Sequence, residues 1–348
     1  MVDTAVDIGA APIDIDALEA YLRRRFDDLD GEFSLLRFPA GHSNLTYLAQ
    51  IGQRALVIKC SPPGNKAVAA HDMGREFGIL SRIQAAYPFA PRAYDYCDDP
   101  SVIGLPFCTM ERLGGVIIRS EFPEEARANP RLVPNVFTGL LDGLAALHQI
   151  DVDAVGLSDF GRPEGYRERQ VQGWIKRMEA ARTDDAPDFA PIASWLQQHV
   201  PRGPHAKAVV HNDFKLDNLV WREGRIDELI GVLDWEMSTI GDPLMDLACT
   251  LSFWVQEDDP AEFRALRAMP TTWPGVLSRE GAINYYAART GSRLDPAEFF
   301  LCFGLFRRAV IEQQKYARFV RGQSDDPRYA NLQGAVHTLR AMCLSAMA

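Results

Sequence analysis

Two acidic residues and one amide stand at short intervals in the second half of the chain. Asp213 and Asn218 lie within the segment 211–218, and Asp234 follows after a pair of apolar runs. These runs have strand character, and Gly224 can adopt a positive φ in the turn between them. We therefore predict a β-hairpin that brings Asp213, Asn218 and Asp234 to one end of two adjacent strands.

Three such oxygen donors suit Mg²⁺, which binds carboxylate and amide oxygens and keeps part of its coordination shell for phosphate. In the general scheme for phosphoryl transfer, one Asp accepts the proton of the acceptor hydroxyl, and an Asn and a later Asp hold the metal. On this scheme Asp213 is catalytic, and Asn218 and Asp234 bind the metal. The simpler alternative is that these residues only form turns and caps. The number of matching positions favours the chemical interpretation.

The pattern His211-x-Asp213-x-Lys215-x-x-Asn218 resembles the catalytic loop of protein kinases, with Asp234 at the place of the metal-binding Asp. The residues after Asp234 depart from the protein-kinase pattern, since Trp and Glu follow it. The short distance to the next helix also leaves no room for an activation segment. The resemblance therefore points to small-molecule kinases of the aminoglycoside phosphotransferase and choline kinase type, which share the protein-kinase fold.

The N-terminal third has the strand order of a kinase nucleotide lobe. Strands are predicted at 33–38, 45–50 and 55–59, and a helix at 72–86. Lys59, at the end of the third strand, is the candidate ligand of the nucleotide phosphates, and Glu76 in the helix is its candidate partner. An ordinary edge-strand lysine is the alternative for Lys59. The turn before the second strand offers Gly41, Ser43 and Asn44 to phosphate oxygens.

A further strand is predicted at 104–110, followed by a pair of glycines that mark a change to helical periodicity. We place the hinge between two lobes here, with the adenine base bound to backbone groups near Met110 and Arg112. The predicted fold is α+β and bilobal, of the protein kinase-like type. Residues 1–112 would form an antiparallel-sheet nucleotide lobe, and residues 113–348 a larger, mainly helical lobe that carries the catalytic and acceptor sites.

More closely, the chain resembles the phosphotransferase domain fused to some acyl-CoA dehydrogenases and its free-standing bacterial relatives, within the aminoglycoside phosphotransferase superfamily. This resemblance implies an ATP-dependent kinase of a small hydroxylated molecule, and relatives of this type are associated with hydroxy fatty acid metabolism. It adds Lys215 beside the migrating phosphoryl group and Glu236 as a second metal contact or a substrate contact. Asp246 is expected to hold the catalytic-loop backbone, and Asp242 to cap a helix. The segments that carry the resemblance are 41–44, 147–148, 165–174, 211–218, 233–236, 241–248 and 306–322.

Composition limits the partners and the location. With 348 residues, of which 47% are hydrophobic and 24% charged, the chain fits an ordinary two-lobed globular protein. A net charge of −10 argues against nucleic acid as a partner. The six cysteines show no metal-binding or disulfide spacing. The absence of a signal-like or membrane-spanning run indicates a cytoplasmic protein that does not bind membranes.

We thus expect an ATP- and Mg²⁺-dependent kinase of a small hydroxylated molecule, for which a hydroxy acid or hydroxyacyl compound is one acceptor class. An aminoglycoside or amino-alcohol kinase is the alternative acceptor class, and a nucleotide-binding pseudokinase is the alternative without activity. The basic series on the last long helical region bears on this choice. The series consists of Arg307, Arg308, Lys315, Arg318 and Arg321. Either it forms a solvated face, or one or two of its arginines turn inward to hold a carboxylate or phosphate.

Overall fold

The computed structural model describes residues 6–7, 13–38, 44–61, 73–203 and 206–348. The strands are β1 Val6–Asp7, β2 Phe33–Arg37, β3 Leu45–Ile51, β4 Arg54–Cys60, β5 Ala93–Cys97, β6 Phe107–Glu111, β7 Val116–Ile117, β8 Ala208–Val210, β9 Leu219–Arg222, β10 Arg225–Val232 and β11 Thr239–Gly241. The α-helices are α1 Ile15–Arg25, α2 Met73–Ile83, α3 Pro100–Ile103, α4 Glu124–Ala128, α5 Leu132–His148, α6 Tyr166–Ala180, α7 Ala190–Gln198, α8 Pro243–Leu251, α9 Ala261–Arg264, α10 Arg279–Thr290, α11 Ala297–Val320 and α12 Leu332–Ala346.

The N-terminal lobe is built on an antiparallel sheet with the strand order β1-β2-β3-β4-β6-β5. A two-residue turn joins β3 to β4, and Gly52 at its first position has a φ of 55°. A Cβ atom on Gly52 would lie 2.2 Å from the backbone oxygen of Asp30, so only glycine fits there. β4 lies between β3 and β6, which places Lys59 opposite Thr46 and Cys108 in the middle of the sheet. Lys59 is therefore not an edge-strand lysine.

Helices cover both faces of this sheet. On one face α2 buries Met73, Ile79, Leu80 and Ile83, and Glu76 is buried with them. On the other face α1 buries Leu18 and Leu22. Because Glu76 shares the buried stripe of an otherwise amphipathic helix, it must find a partner inside the lobe.

Two local details differ from the sequence expectation. The first helix is capped by Asp14, whose carboxylate accepts from the backbone nitrogen of Ala17 at 2.9 Å, although Asp16 and Glu19 form the D-x-x-E pattern that predicts a cap at Asp16. β6 begins at Phe107, because Gly104 has a φ of 79° and ends the short helix α3 instead of starting a strand. In both cases a local hydrogen-bonding preference outweighs the wider pattern.

The C-terminal lobe is mainly helical and contains two small antiparallel sheets, β10-β9-β7 and β11-β8. The two helices α8 and α11 approach each other closely at Gly304. A Cβ atom there would lie 2.1 Å from the backbone oxygen of Ala248. This contact fixes α8, and α8 carries Asp246, which is bound to the backbone of the loop 211–218.

The bilobal fold is as expected, and β7 pairs with β9 of the second lobe whereas β6 belongs to the first. The domain boundary after residue 112 stays a prediction. All six cysteines are buried and reduced. Among the described helices, none is long and apolar enough to cross a membrane.

Candidate active site

The hairpin expected from the sequence is present and positions the acidic residues. β9 and β10 pair antiparallel, and Gly224 in the turn between them has a φ of 75°. At the other end of the hairpin, the backbone nitrogen of Leu233 donates to the backbone oxygen of Asn218 at 2.8 Å. The ring of His211 is hydrogen-bonded to the Leu233 oxygen at 2.9 Å. Asp234 therefore lies directly beside the loop that contains Asp213 and Asn218.

Two residues of this site have left-handed backbone conformations. Asn212 has a φ of 65° and Asp234 a φ of 66°, and they are the non-glycine residues with positive φ in the described part of the chain. Asn and Asp tolerate this region better than other side chains do, although it remains strained and is common at functional sites. The Asn212 amide is held on both sides, by Met237 O at 3.0 Å and by the Tyr166 hydroxyl at 3.4 Å.

Asp246 holds the backbone of the loop from below. Its carboxylate accepts from the backbone nitrogens of His211 and Asn212, each at 2.7 Å. It is fully buried, and the His148 ring lies 3.1 Å from it. Burial alone would raise the pKa of Asp246, but the hydrogen bond and charge of His148 hold that pKa below its ordinary value. Asp246 is thus an ionised anchor for the loop, as its expected role requires.

The local sequence around His148 indicates only a capping or core residue. His148 does lie in the core. One of its ring nitrogens lies 3.1 Å from the Asp246 carboxylate and the other lies 2.6 Å from the Tyr286 hydroxyl, so His148 connects these two groups. Both partners are remote in the chain, so no local pattern could have indicated them. Asp242 caps α8 as expected, and it also pairs with buried Arg167.

Within the loop, Asn218 orients Asp213. The Asn218 amide nitrogen donates to the Asp213 carboxylate at 2.9 Å and to its backbone oxygen at 2.8 Å. Lys215 lies 3.5 Å from the same carboxylate and 3.2 Å from that of Asp217. Burial opposes the charge of Lys215, but both acids raise its pKa above the ordinary value. Lys215 therefore stays protonated beside Asp213, and among the described residues no donor is bound to the side-chain oxygen of Asn218.

Lys59 connects the two lobes. Its ammonium group lies 2.9 Å from the Glu76 carboxylate and 2.9 Å from that of Asp234. Burial alone would lower the pKa of Lys59, but Asp234, Glu76 and Glu236 together raise it above its ordinary value. Conversely, Lys59 outweighs the burial of Asp234 and lowers the pKa of that carboxyl group. Lys59 and Asp234 therefore stabilise each other's charged forms.

The remaining residues expected to bind the nucleotide are placed as follows. The Asn44 amide donates to the Glu236 carboxylate, which joins the start of β3 to the segment after Asp234. Gly41 and Ser43 lie outside the described residues. Met110 is buried in β6 and Arg112 is exposed just after it. The structure thus brings Asn44, Lys59 and Glu76 to the catalytic hairpin, and their roles in nucleotide binding stay predictions.

The basic series on α11 does not form a solvated face throughout. Arg307 and Arg308 are buried, because α11 packs against α8 and α6 in the middle of the lobe. Arg308 donates to the backbone oxygens of Ser252 and Leu266 at 2.7 and 2.6 Å. Arg321 is exposed and caps the end of α6 through Ala180 O and Arg182 O, each at 3.0 Å. Arg308 and Arg321 therefore serve the fold, whereas Arg307 has no such carbonyl partner among the residues that the structure describes.

A two-lobed kinase fold with this loop defines the class of small-molecule phosphotransferases. Residues 34–277 match the family model described as the phosphotransferase enzyme family. The chain belongs to this family.

Several known proteins are similar to the chain. It is 35% identical over 312 residues to acyl-CoA dehydrogenase family member 10 of Mus musculus, covering 89% of this chain and 29% of that protein. It is 32% identical over 333 residues to family member 11 of Rattus norvegicus, covering 92% of this chain and 42% of that protein. The chain thus spans well under half the length of these curated relatives.

Solved structures with the same fold include one from Ralstonia eutropha, provisionally assigned as an aminoglycoside phosphotransferase. It has a TM-score of 0.80 and 26% identity, and the match covers 96% of this chain and 98% of that one. Aminoglycoside phosphotransferase APH(4)-Ia, in a ternary complex with AMP-PNP and hygromycin B, has a TM-score of 0.60 and 19% identity, with 94% and 98% covered. Choline kinase from Cryptosporidium parvum has a TM-score of 0.58 and 12% identity, with 94% and 95% covered.

Proposed function

We propose that this protein transfers the γ-phosphoryl group of ATP to a hydroxyl group of a small molecule. The observation that carries the proposal is the convergence of two charge clusters from different lobes. Lys59 and Glu76 meet Asp234, and Asp234 adjoins the loop in which Asn218 orients Asp213. This is the set of groups that phosphoryl transfer requires. Because Lys59, Asp213 and Asp234 are all in place, the set favours an active kinase over a nucleotide-binding pseudokinase.

The donor set fits Mg²⁺ as the cofactor. Asp234 and the Asn218 amide oxygen would hold it, with Glu236 as a further contact, because hard oxygen donors and one or two carboxylates are what this ion requires. When bound with ATP, the ion neutralises charge on the phosphate oxygens. Lys59 would contact the same phosphates, and the backbone and side chain of the turn before β3, including Asn44, would cover them.

Asp213 and Lys215 carry the chemistry in this proposal. The Asp213 carboxylate, held by Asn218, orients the acceptor hydroxyl and takes its proton as the oxygen attacks the γ-phosphorus. The protonated ammonium group of Lys215 faces the migrating phosphoryl group and offsets its negative charge. Asp246 keeps the loop in its left-handed conformation, so that Asp213 needs no reorganisation during the reaction.

For the acceptor we propose a hydroxy acid or hydroxyacyl compound. Two observations support this class over aminoglycosides or amino alcohols. Buried Arg307 contacts Met237, which binds the side chain of Asn212 in the loop, and a guanidinium group there favours anions and repels ammonium groups. The names of the curated relatives also refer to acyl-CoA. An aminoglycoside kinase remains the second candidate because of the fold shared with APH(4)-Ia.

The test of catalysis is Asp213→Asn. This isosteric change removes the proton acceptor, so kcat should fall by about 10²–10⁴-fold, while ATP affinity and thermal stability stay near wild type. Asp227→Asn is the matched control, because Asp227 lies on the same hairpin and contacts Asn135 instead of the loop. Near-native turnover by Asp213→Asn would show that Asp213 is not the proton acceptor.

The test of the metal is ATP affinity by calorimetry, with Mg²⁺ and with excess chelator. Wild-type protein should bind ATP far more tightly with Mg²⁺, and Asp234→Ala should abolish the difference. Equal affinities under both conditions would contradict the metal assignment.

The acceptor class is tested by ATP consumption across a panel of free hydroxy acids, hydroxyacyl-CoA thioesters, kanamycin-like aminoglycosides and choline-like amino alcohols. We expect turnover with the first two groups. If an amine is the best acceptor, the hydroxy-acid assignment is wrong even though the kinase assignment stands.

A further inference from the structure

Arg307 is a buried cation in the C-terminal lobe. It is 3% exposed, and within the described part of the chain no carboxylate lies within ion-pair distance of it. Its guanidinium group donates to the Met237 sulfur at 3.6 Å and also faces the Cys249 thiol. These are weak acceptors. Since buried charges are normally paired, a guanidinium group in this position lacks a partner of the kind that proteins usually provide.

A second arginine lies beside it across a tryptophan ring. The Arg307 guanidinium group is 5.0 Å from the centroid of the Trp174 ring, and that of Arg177 is 4.6 Å from the same centroid. Trp174 is held in place through its indole nitrogen, which donates to Gln170 at 3.2 Å. Partial removal from water and the nearby charge of Arg307 lower the pKa of Arg177. Two cations thus share one aromatic ring, without a carboxylate between them among the described residues.

Helix α6 contacts the catalytic loop directly, and Arg307 of α11 is connected to it through Met237. The Met237 oxygen accepts from the side chain of Asn212, which precedes Asp213. On α6, Tyr166 donates to the same Asn212 side chain. Trp174 lies two turns further along α6, about 12 Å along the helix axis at 1.5 Å per residue. The two arginines are therefore connected to the residue that precedes Asp213, Arg307 through Met237 and Arg177 through α6.

We infer that Arg307, Arg177 and Trp174 form a binding site for an anionic group of the acceptor, a carboxylate or phosphate that a spacer separates from the reacting hydroxyl. This inference rests on the proposed function. A guanidinium group presents parallel N–H donors that match the oxygens of carboxylate and phosphate, and a buried one binds them more strongly than a solvated one does. The apolar ring and the Met237 side chain suit the hydrocarbon spacer, whereas an ammonium group here would be repelled by two cations.

Arg307→Gln and Arg177→Gln test the site, and each would be assayed with three acceptors of equal chain length. These are a free hydroxy acid, its CoA thioester and a neutral diol. For Arg307→Gln we expect the acceptor KM to rise about 10–100-fold with an anionic acceptor, the range for a lost hydrogen bond between charged groups. Arg177→Gln should give a smaller rise, because Arg177 is exposed. In both variants the KM for ATP and the KM for the diol should stay unchanged. The variant Arg307→Lys should have a KM for the anionic acceptor between those of wild type and Arg307→Gln.

The acceptors also separate the two sources of the anion. If the carboxylate of a free acid occupies the site, the rise in KM appears with the acid and disappears with the thioester. If a phosphate of the CoA moiety occupies it, the rise appears with the thioester instead. Either result supports the site.

Arg318→Gln is the matched control, since Arg318 is exposed on the same helix and stacks on Tyr329. It should leave every constant unchanged. Because Arg307→Gln could affect folding, the exposed Arg177 provides the second variant. If both variants keep wild-type KM values with every anionic acceptor, the inferred site is wrong.

A binding experiment keeps this inference separate from the proposed function. In the inactive Asp213→Asn background, the free hydroxy acid and its thioester should raise the melting temperature, and the Arg307→Gln change should abolish that shift. A shift that depends on Arg307 without any phosphoryl transfer in the wild type would support the anion site and contradict the kinase proposal. Phosphoryl transfer that is independent of Arg307 and Arg177 would support the kinase proposal and contradict the anion site.

Discussion

Replacing Asp246 by Asn should separate the positioning of the catalytic loop from nucleotide binding. The Asp246 carboxylate accepts from two backbone nitrogens at 2.7 Å, and one of them belongs to Asn212 in its left-handed conformation. An amide retains one acceptor oxygen and turns an NH2 group toward the other backbone nitrogen. One hydrogen bond to a charged group is lost and a buried donor is left unsatisfied, each worth about 1–3 kcal/mol.

The expected loss of stability is about 3 kcal/mol. With an unfolding entropy of about 2.1 cal/mol/K per residue, this corresponds to a fall in Tm of roughly 4 °C for a chain of this length. The effect on kcat should be larger, because misplacing a catalytic group by about 1 Å can cost about 100-fold in rate. ATP affinity should change by less than about twofold, since Lys59 and its partners do not contact Asp246.

The effect also has a pH signature. Because the pKa of Asp246 is lower in the folded protein than its ordinary value, its ionisation stabilises the fold fully above about pH 4. That contribution is lost as the pH falls through the lower folded value. The stability difference between wild type and Asp246→Asn should therefore shrink below about pH 4.

Thermal melts and steady-state kinetics of both proteins would measure these effects. Asp95→Asn is the matched control, because Asp95 is a buried carboxylate of the other lobe that accepts from Tyr21 and Arg25. It should lower Tm with little change in kcat. If Asp246→Asn lowers Tm but keeps wild-type kcat, Asp246 does not set the geometry of the loop.

Two further predictions concern the packing of each lobe. Lys59→Met leaves the buried Glu76 carboxylate without its cation in the ligand-free protein and should lower the free energy of unfolding by about 3–5 kcal/mol in denaturant titrations. Adding Glu76→Leu should recover most of that stability without restoring ATP binding. Equal stability of the single and double variants would contradict a structural ion pair. Gly304→Ala should lower Tm, because the new methyl group would overlap the backbone oxygen of Ala248 and overpacking costs about 1–3 kcal/mol or more. Gly334→Ala, at an exposed helical position with open space, should raise stability by about 0.4–1 kcal/mol, and a Gly304→Ala variant as stable as this control would refute the close contact.

The parts of the fold that were predictable are those set by neighbours in the sequence. The β9–β10 hairpin follows from a four-residue turn and two apolar runs, so the convergence of Asp213, Asn218 and Asp234 could be inferred directly. The pairing of β2, β3 and β4 was likewise readable, because these strands follow one another directly in the chain. The pairing of β4 with β6, which places Lys59 in the middle of the sheet, joins strands that are remote in the sequence.

The parts that were not predictable depend on remote partners. Whether Arg307 faces water or the interior depends on α6, which lies more than one hundred residues earlier in the chain. The link from His148 to Asp246 also joins distant helices. Periodicity identifies which residues share a face of a helix, but it does not specify what that face meets.

The charges around the Lys59 ion pairs also determine the ionic conditions under which the cleft can accept a nucleotide. Two ammonium groups there face five carboxylates, and these seven groups belong to Lys59, Lys215, Glu76, Asp213, Asp217, Asp234 and Glu236. A bare triphosphate approaching this excess of negative charge is repelled, whereas one that arrives with a divalent cation is not. Raising the ionic strength should therefore improve the weak binding of metal-free ATP by screening that repulsion. If the proposed function holds, we expect the cleft to discriminate against uncomplexed nucleotide through its charge balance, before any individual contact with the nucleotide forms.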